Sequence, residues 1–365
     1  MIAGGGTGGH LFPGVALAEE LRAREPEAPV RFVGTARGIE ARVLPGLGWD
    51  LVLIEVSGVK TVGALGALRG LLRLPRAFLQ ARRVVKQFRP DVVVGVGGYA
   101  SVPVVVMARL MGVRTGILEQ NSLPGLANKV LGRFAHAVFL AFEETRRFFK
   151  PKKILMTGNP IRREIRVALA AAGDGAAPAA AAGAPFHLFV FGGSQGAAAL
   201  NIVVAEAAKV LAARGVALSI VHQTGEANLE PTRILYEAGG VAADLRTFIA
   251  DMAAEYRRAD LVIARSGATT VAELGVVGKA AILVPYPFAA DNHQEVNARE
   301  MADAGAALMF RQSELTGEVL ADAIAGLAAD RERLATMGRA MRALGRPQAA
   351  AAILDWCAGG QVAAP

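Results

Sequence analysis

Four polar side chains, Ser266, Thr269, Thr270 and Glu273, stand at i, i+3, i+4 and i+7, so a helix would carry them on one face. A helix N-terminus has unpaired N–H groups and the positive end of the dipole, which makes it an anion site. A carboxylate two turns below it can accept hydrogen bonds from ribose hydroxyls. After the rigid loop Pro285-Tyr286-Pro287-Phe288 come Asp291 and Gln294, three apart. At the start of another helix they point the same way and suit the hydroxyls of a sugar. Together these residues can grip a sugar nucleotide by diphosphate, ribose and hexose. The same spacing also fits an ordinary βαβ element whose polar residues face water.

A second candidate is His10, directly behind Gly4-Gly5-Gly6-Thr7-Gly8-Gly9. A neutral imidazole, with an unperturbed pKa near 6.5, can take a proton from a hydroxyl. A histidine that caps or packs the loop is the alternative.

Elements must hold these residues. Apolar runs at 261–264 and 280–284 read as strands, with a helix over 268–277 between them. That βαβ unit sets Ser266 and Gly267 where strand gives way to helix. The glycines at 4–9 follow a strand of about three residues and precede a helix expected over 13–23, with Pro13 in its first turn. Further strands are expected at 30–33, 52–56, 91–96, 115–118, 137–140 and 154–156. Gly97-Gly98 forms a second glycine turn. Glu119, Gln120 and Asn121 follow a strand end, where parallel sheets bind ligands. A tight turn over 157–162 presents Arg162.

Residues 166–185 are mostly Ala, Gly and Pro and read as a linker. The pattern then restarts with a strand at 188–191, Gly192-Gly193-Ser194-Gln195-Gly196, and a helix to about 213. His222 and Gln223 end a strand at 219–223 and read as its caps. A strand at 245–249 brings an apolar edge, Phe248-Ile249, that can face a flat base. Helices are expected from Ala298 to about Cys357. The expected class is α/β, with two Rossmann-like domains: 1–163, a linker at 164–185, and 186–345. A bend near 345–347 would let a last helix, about 346–358, cross back onto the first domain.

Charge separates the halves. Residues 1–163 hold 24 Lys and Arg against 11 Asp and Glu, a balance of +13, whereas 164–365 hold 16 against 21, a balance of −5. The first half should attract phosphates, nucleic acid or an acidic membrane surface. Within it, residues 64–89 interleave Leu65, Leu68, Leu71, Leu72, Leu74 and Phe78 with Arg69, Arg73, Arg76, Arg82, Arg83 and Lys86, broken at Pro75. Such a stretch suits an anionic bilayer surface, or else a helix with leucines to the core and arginines to water. The uncharged stretches 92–108 and 175–205 contain glycine turns and read as strand, loop and helix, so no membrane-spanning segment is expected. No signal peptide is expected behind the glycine-dominated first nine positions. The single cysteine, Cys357, allows no internal disulfide and suits a reducing compartment.

Several chemistries lack their residues. There is no Asp-x-Asp pair for a metal on a diphosphate, no Cys/His cluster at zinc spacing and no GxxxxGK[ST] loop. No acidic residue follows the strand at 30–33, against a dinucleotide site. No metal or cofactor is expected. Aromatics make up only 6% of residues and interleave no basic run, so nucleic acid is not an expected partner.

The motifs together resemble the MurG family of peptidoglycan glycosyltransferases, in glycosyltransferase family 28, which act on lipid-linked muramyl peptide. The matching pieces are GGGTGGHLFP at 4–13, GVGGYASVP at 95–103, LEQNSLPGLANK at 118–129, TGNPIR at 157–162, FGGSQGA at 191–197, FIADM at 248–252, RSGATTVAELGVVGKAAILVPYP at 265–287 and DNHQEVNA at 291–298. The resemblance implies a GT-B fold, two Rossmann-like domains with parallel sheets facing across a cleft. It implies UDP-N-acetylglucosamine as donor, bound by Thr7, Gly8, Gly9, Asn121, Arg162, Ser194, Ile249, Ala268, Thr269, Thr270, Val271, Ala272, Glu273 and Gln294. Ile249 would line the uracil and Ser194 would touch the diphosphate. It implies an acceptor, lipid I, bound by the first domain, and a peripheral protein on the cytoplasmic face of the membrane. The reaction expected is inverting transfer of GlcNAc to the C4 hydroxyl of MurNAc on undecaprenyl diphosphate, with His10 as base and Glu119 as second choice. A transferase of the same fold acting on a diacylglycerol or a natural product is the alternative within enzymes; the basic first half favours the diphosphate acceptor.

Overall fold

The structure, a computed structural model, describes residues 1–56, 64–172, 184–193 and 195–360, and of 64–73 and 168–172 the backbone alone. The chain divides into two compact units: Met1–Arg163 with the stretch from Arg346 onward, and Glu164–Gly345.

In the first unit the elements run β1 (Ile2–Ala3), α1 (Gly8–Arg24), β2 (Arg31–Gly34), α2 (Glu40–Gly46), β3 (Asp50–Leu53), α3 (Ala64–Phe88), β4 (Val92–Gly95), α4 (Ser101–Leu110), β5 (Arg114–Glu119), α5 (Leu126–Phe134), β6 (Ala137–Leu140) and β7 (Ile154–Met156). All seven strands are parallel, in the order β3-β2-β1-β4-β5-β6-β7. Helices on both faces explain why these strands are apolar without alternation: Val93, Ile117, Val138 and Leu140 are fully buried.

The second unit runs α6 (Arg163–Ala172), β8 (Phe186–Phe191), α7 (Ala198–Ala213), β9 (Leu218–Gln223), α8 (Leu229–Ala238), β10 (Asp244–Arg246), α9 (Met252–Arg258), β11 (Leu261–Ala264), α10 (Ala268–Val277), β12 (Ala281–Leu283), α11 (His293–Asp303), β13 (Ala307–Met309), α12 (Gly317–Ala329) and α13 (Arg331–Ala343). Its six strands are also parallel, ordered β10-β9-β8-β11-β12-β13. The strand order reverses between β1 and β4 in one unit and between β8 and β11 in the other. Crevices past the strand ends at such reversals are where doubly wound sheets bind ligands. The glycine loop at 4–9 and Gly192-Gly193 after β8 lie there.

The last helix among the described residues, α14 (Ala349–Cys357), packs on α1 within the first unit. Ile353 is fully buried in the cluster of Leu11, Val15 and Phe139. Trp356 meets Phe139 edge-on, and the Arg114 guanidinium lies over its ring at 4.0 Å. Gly158, at φ 82°, admits Arg346: a Cβ there would come within 2.3 Å of the arginine's own Cβ.

Five expectations need correcting. Helix α1 starts at Gly8 rather than at residue 13, so His10 sits in its first turn and Pro13 in its second. Helix α3 continues through Pro75, whose ring removes one ladder bond without ending the helix; the side chains of Leu65, Leu68, Leu71, Leu72, Arg69 and Arg73 lie outside the described residues. The expected linker at 164–185 opens with helix α6, where alanine's helix propensity outweighs the compositional signal; residues 173–183 lie outside the described set. The strand expected at 245–249 is Asp244–Arg246, leaving Phe248 and Ile249 in a loop. Strand β13, expected to be helix, adds an edge to the second sheet. Among the described residues no helix is long and apolar enough to cross a membrane.

Candidate active site

In the first unit the glycine loop is clamped from two sides. Gly4, Gly5 and Gly6 all take positive φ, and the Gly5 N–H donates to the Gly97 carbonyl at 3.2 Å. A Cβ on Gly4 would lie 2.2 Å from the Gly97 oxygen, and one on Gly98 would lie 2.4 Å from the Gly5 oxygen. Only glycines let these two strand-end loops touch. Beneath them the fully buried Glu40, on α2, accepts hydrogen bonds from Gly6 N at 2.7 Å, Thr35 N at 2.8 Å and Thr35 Oγ1 at 3.1 Å. A Cβ at Gly5, Gly34 or Gly38 would clash with that carboxylate. Glu40 thus fixes the loop from below, and no motif in the sequence pointed to it.

The loop hands over to α1 at Thr7, whose backbone carbonyl accepts from Leu11 N. Its Oγ1 reaches His10 Nδ1 at 3.1 Å instead of capping the helix. The N–H groups of Gly8 and Gly9 belong to the helix's first turn, where an anion is favoured. The His10 ring lies over Gly97: a Cβ there would be 2.6 Å from Cδ2. The Thr7 hydroxyl can donate to Nδ1 or accept from it, so this contact orients the ring whichever nitrogen carries the proton.

Glu119 closes β5 and is 1% exposed. Its Oε1 accepts from Asn121 N at 3.0 Å and, distantly, from Asn121 Nδ2 at 3.5 Å; Oε2 accepts from Gly125 N at 3.2 Å and Asn128 Nδ2 at 2.9 Å. Burial pushes its carboxyl up to about 6, against the pull of these donors toward the charged form. It holds the 119–128 loop, and with it Asn121, whose carbonyl accepts from Thr145 Oγ1. Arg162 is half-buried in the turn between β7 and α6.

In the second unit α10 begins as the spacing predicts, with Gly267 as its N-cap and no side-chain cap on its first N–H groups. Ser266 is fully buried; its Oγ donates to the Gln294 carbonyl at 2.8 Å, and its own carbonyl accepts from Asn297 Nδ2. Thr269 Oγ1 is buried and makes no hydrogen bond among the described residues, while Thr270 is half-buried. Glu273 is 3% exposed, and its Oε2 accepts from the Tyr256 hydroxyl at 3.0 Å. Ala268 and Val271 are buried apolar positions and Ala272 is half-buried, so from these three only backbone groups near the helix start can meet a ligand. The Gln294 side-chain oxygen accepts from Tyr286 N at 3.0 Å, which ties it to the Pro285–Phe288 loop. Asp291 does not share the helix of Gln294 as the spacing suggested: α11 begins at His293, and Asp291 and Asn292 precede it at φ 52° and 54°. Asp and Asn tolerate this left-handed region better than other non-glycine residues. Ser194 lies outside the described residues.

One residue read as a strand cap does more. Gln223, 4% exposed at the end of β9, donates from Nε2 to the Gly193 carbonyl at 3.0 Å and accepts at Oε1 from Ile249 N at 2.8 Å. It joins the glycine loop to the loop of Ile249, whose side chain is buried. Next to it, His222 is held neutral by burial, its pKa lowered to about 3. Its ring nitrogens meet Tyr236 Oη and Asn201 Oδ1, both at 3.1 Å, and Asn201 Nδ2 donates to the Thr224 carbonyl. A Cβ on Gly196 would lie 1.8 Å from that carbonyl's oxygen, so only glycine fits where the loop crosses the strand end.

The chain is similar to known proteins in sequence and in fold. Models of the N-terminal and C-terminal domains of glycosyltransferase family 28 match residues 1–140 and 187–353. The UDP-N-acetylglucosamine–N-acetylmuramyl-(pentapeptide) pyrophosphoryl-undecaprenol N-acetylglucosamine transferase of Myxococcus xanthus is 52% identical over 98% of this chain and 91% of its own length. The transferase of the same name from Anaeromyxobacter dehalogenans is 53% identical with the same coverage. Among solved structures, MurG of Acinetobacter baumannii aligns with a TM-score of 0.80 and 34% identity over 98% of both chains. A UDP-GlcNAc 2-epimerase from Neisseria meningitidis, at 13% identity and a TM-score of 0.68, shares the fold alone.

Proposed function

The chain belongs to glycosyltransferase family 28, and from that premise we propose that it transfers N-acetylglucosamine from UDP-N-acetylglucosamine to the lipid-linked MurNAc-pentapeptide of peptidoglycan synthesis. The observation that carries this reading is the match of half its residues, end to end, to transferases bearing that name.

Donor and product differ in anomeric configuration, so the displacement is a single in-line step with inversion. Departing UDP gains negative charge. The second unit offers it the uncapped N–H groups of α10 and the glycine loop after β8, while Arg162 adds a guanidinium. The buried Thr269 hydroxyl, unpaired among the described residues, is a polar group that a phosphate oxygen would satisfy. Glu273 accepts the ribose hydroxyls, Gln294 the hexose, and the loop of Ile249 the uracil. Thr7, Gly8, Gly9 and Asn121 are further donor-binding residues in this reading, carried over from the family resemblance.

His10 takes the proton from the acceptor's C4 hydroxyl at Nε2, with Thr7 on Nδ1. Glu119 is the poorer base. Its oxygens already accept from four N–H donors, so a substrate hydroxyl would have to displace one of them. The acceptor's diphosphate and lipid suit the first unit, whose basic helix α3 carries the 61%-exposed Leu79 beside Arg82 and Arg83. The protein works as a peripheral protein at the cytoplasmic face of the membrane.

The test is an assay with radiolabelled UDP-GlcNAc and two acceptors on anionic vesicles, a lipid I analogue and a diacylglycerol. Label should pass to the lipid I analogue through a β-1,4 bond. Transfer only to the diacylglycerol would overturn the reading.

A further inference from the structure

We infer that Tyr256 is a positioning residue for donor recognition: its hydroxyl fixes the Glu273 carboxylate, and through it the preference for a ribose over a deoxyribose donor. The inference rests on the reading of Glu273 as the ribose acceptor.

Tyr256 lies on α9 and Glu273 on α10, and the Oη–Oε2 distance is 3.0 Å. Both side chains are buried, Tyr256 completely. A buried carboxylate is costly, and a buried tyrosine hydroxyl needs a partner. A phenylalanine at 256 would fill the same space among Phe189 and Phe191 without that need. The Tyr256 ring meets those two edge-on, at 5.4 Å and 6.0 Å between centroids. Both belong to β8, the strand that leads into the glycine loop. The hydroxyl therefore has a position set by the sheet rather than by a mobile side chain. A donor held this rigidly locks the plane of the carboxylate that accepts from it. Recognition of two vicinal hydroxyls depends on that plane, because each oxygen must meet its own O–H near a lone-pair direction. Helix α9 is itself anchored: Asp251 caps it through Ala254 N at 2.9 Å, and Glu255 pairs with Arg246 at 3.1 Å.

A tyrosine that only filled the core would affect every donor alike. The experiment measures KM and kcat with UDP-GlcNAc and with its 2′,3′-dideoxyuridine counterpart, for wild type, Tyr256→Phe, Glu273→Gln and Glu273→Asp. Glu273→Gln tests the premise: it should raise KM for UDP-GlcNAc at least tenfold and leave the dideoxy donor nearly unchanged. If it does not, the ribose reading of Glu273 falls, and this inference falls with it. Where Glu273→Gln behaves as expected, Tyr256→Phe should raise KM for UDP-GlcNAc by about three- to tenfold, the worth of one hydrogen bond, with kcat within about twofold. It should change KM for the dideoxy donor less than about twofold on the same grounds. Glu273→Asp keeps Tyr256 and shortens the reach, and should give the same selective loss even if the phenylalanine variant folds poorly. A Tyr256→Phe enzyme with unchanged KM for UDP-GlcNAc, or with an equal rise for both donors, overturns the assignment.

Discussion

His10 and Glu119 show how differently two ionisable residues at strand ends can be employed. His10 sits in the first turn of α1 with Thr7 on Nδ1, and is the residue proposed as the base. Replacing it with Ala should lower kcat by about 10²–10⁴-fold and leave donor KM unchanged, as expected for a general base. A variant keeping more than a tenth of wild-type kcat would remove His10 from that role. Glu119 is enclosed, and its pH behaviour follows from burial. Burial holds its carboxyl at about 6 in the folded chain, against 4.5 for an unperturbed glutamate. Because the folded value is raised, the folded state binds the proton more tightly, and stability falls as pH climbs from about 4.5 to 6. The rise corresponds to about 2 kcal/mol, absent below the unfolded value and fully felt above the folded one. Glu119→Gln cannot titrate. It should be less stable at pH 4.5, since an amide N–H would face another N–H, and its deficit against wild type should shrink as pH rises to 6. Melting curves of both proteins over that range decide it; a deficit that widened with pH would refute the account. His10 and Glu273 were noticeable from spacing, with roles that are proposals, because each belongs to a local pattern. Glu40 and Gln223 were not, because their partners lie up to 34 and 30 residues away in sequence, and only the fold brings them together.

At the scale of elements, α10 was readable to the residue, since strand, N-cap glycine, apolar face and closing Gly278 all agree. Errors fell where signals conflicted. Three residues, Ala307–Met309, are too few to show a period, so β13 was hidden among helices. Pro13 suggested the start of α1, yet the helix accommodates it in the second turn. The consequential element is the end of β9, where Gln223 couples two loops proposed to hold different parts of the donor. Gln223→Leu leaves the Gly193 carbonyl and the Ile249 N–H without their partner. Each lost partner of a buried group costs about 1–3 kcal/mol, so KM for UDP-GlcNAc should rise about tenfold or more. Gln223→Glu keeps an acceptor for Ile249 N but sets an oxygen against the Gly193 carbonyl, and should therefore also weaken the donor. Steady-state kinetics of both variants test the coupling; wild-type KM in each would show that the loops hold their shape without the carboxamide.

Across the whole molecule, the sequence repeat of strand, glycine loop and helix correctly announced two parallel sheets. For the last helix the sequence offered a bend near 345–347 and a crossing back onto the first domain, but not the contacts that hold it there. Helix α14 is separated from α1 by more than three hundred positions, and its attachment consists of side chains: Ile353 in the core, Trp356 against Phe139, and Asp355 with Arg24 at 2.6 Å. The exposed ion pair contributes little on its own. Burial of Ile353 contributes far more, and truncation to Ala should cost about 2–5 kcal/mol. If α14 is thermodynamically part of the first unit, that cost will be local. Hydrogen exchange of Ile353→Ala should then show faster opening of α1, β1 and β4, with protection in β8, β11 and α10 unchanged. Equal loss of protection in both sheets would mean instead that the units unfold as one, and that the returning helix stabilises the whole chain rather than the sheet it packs beside.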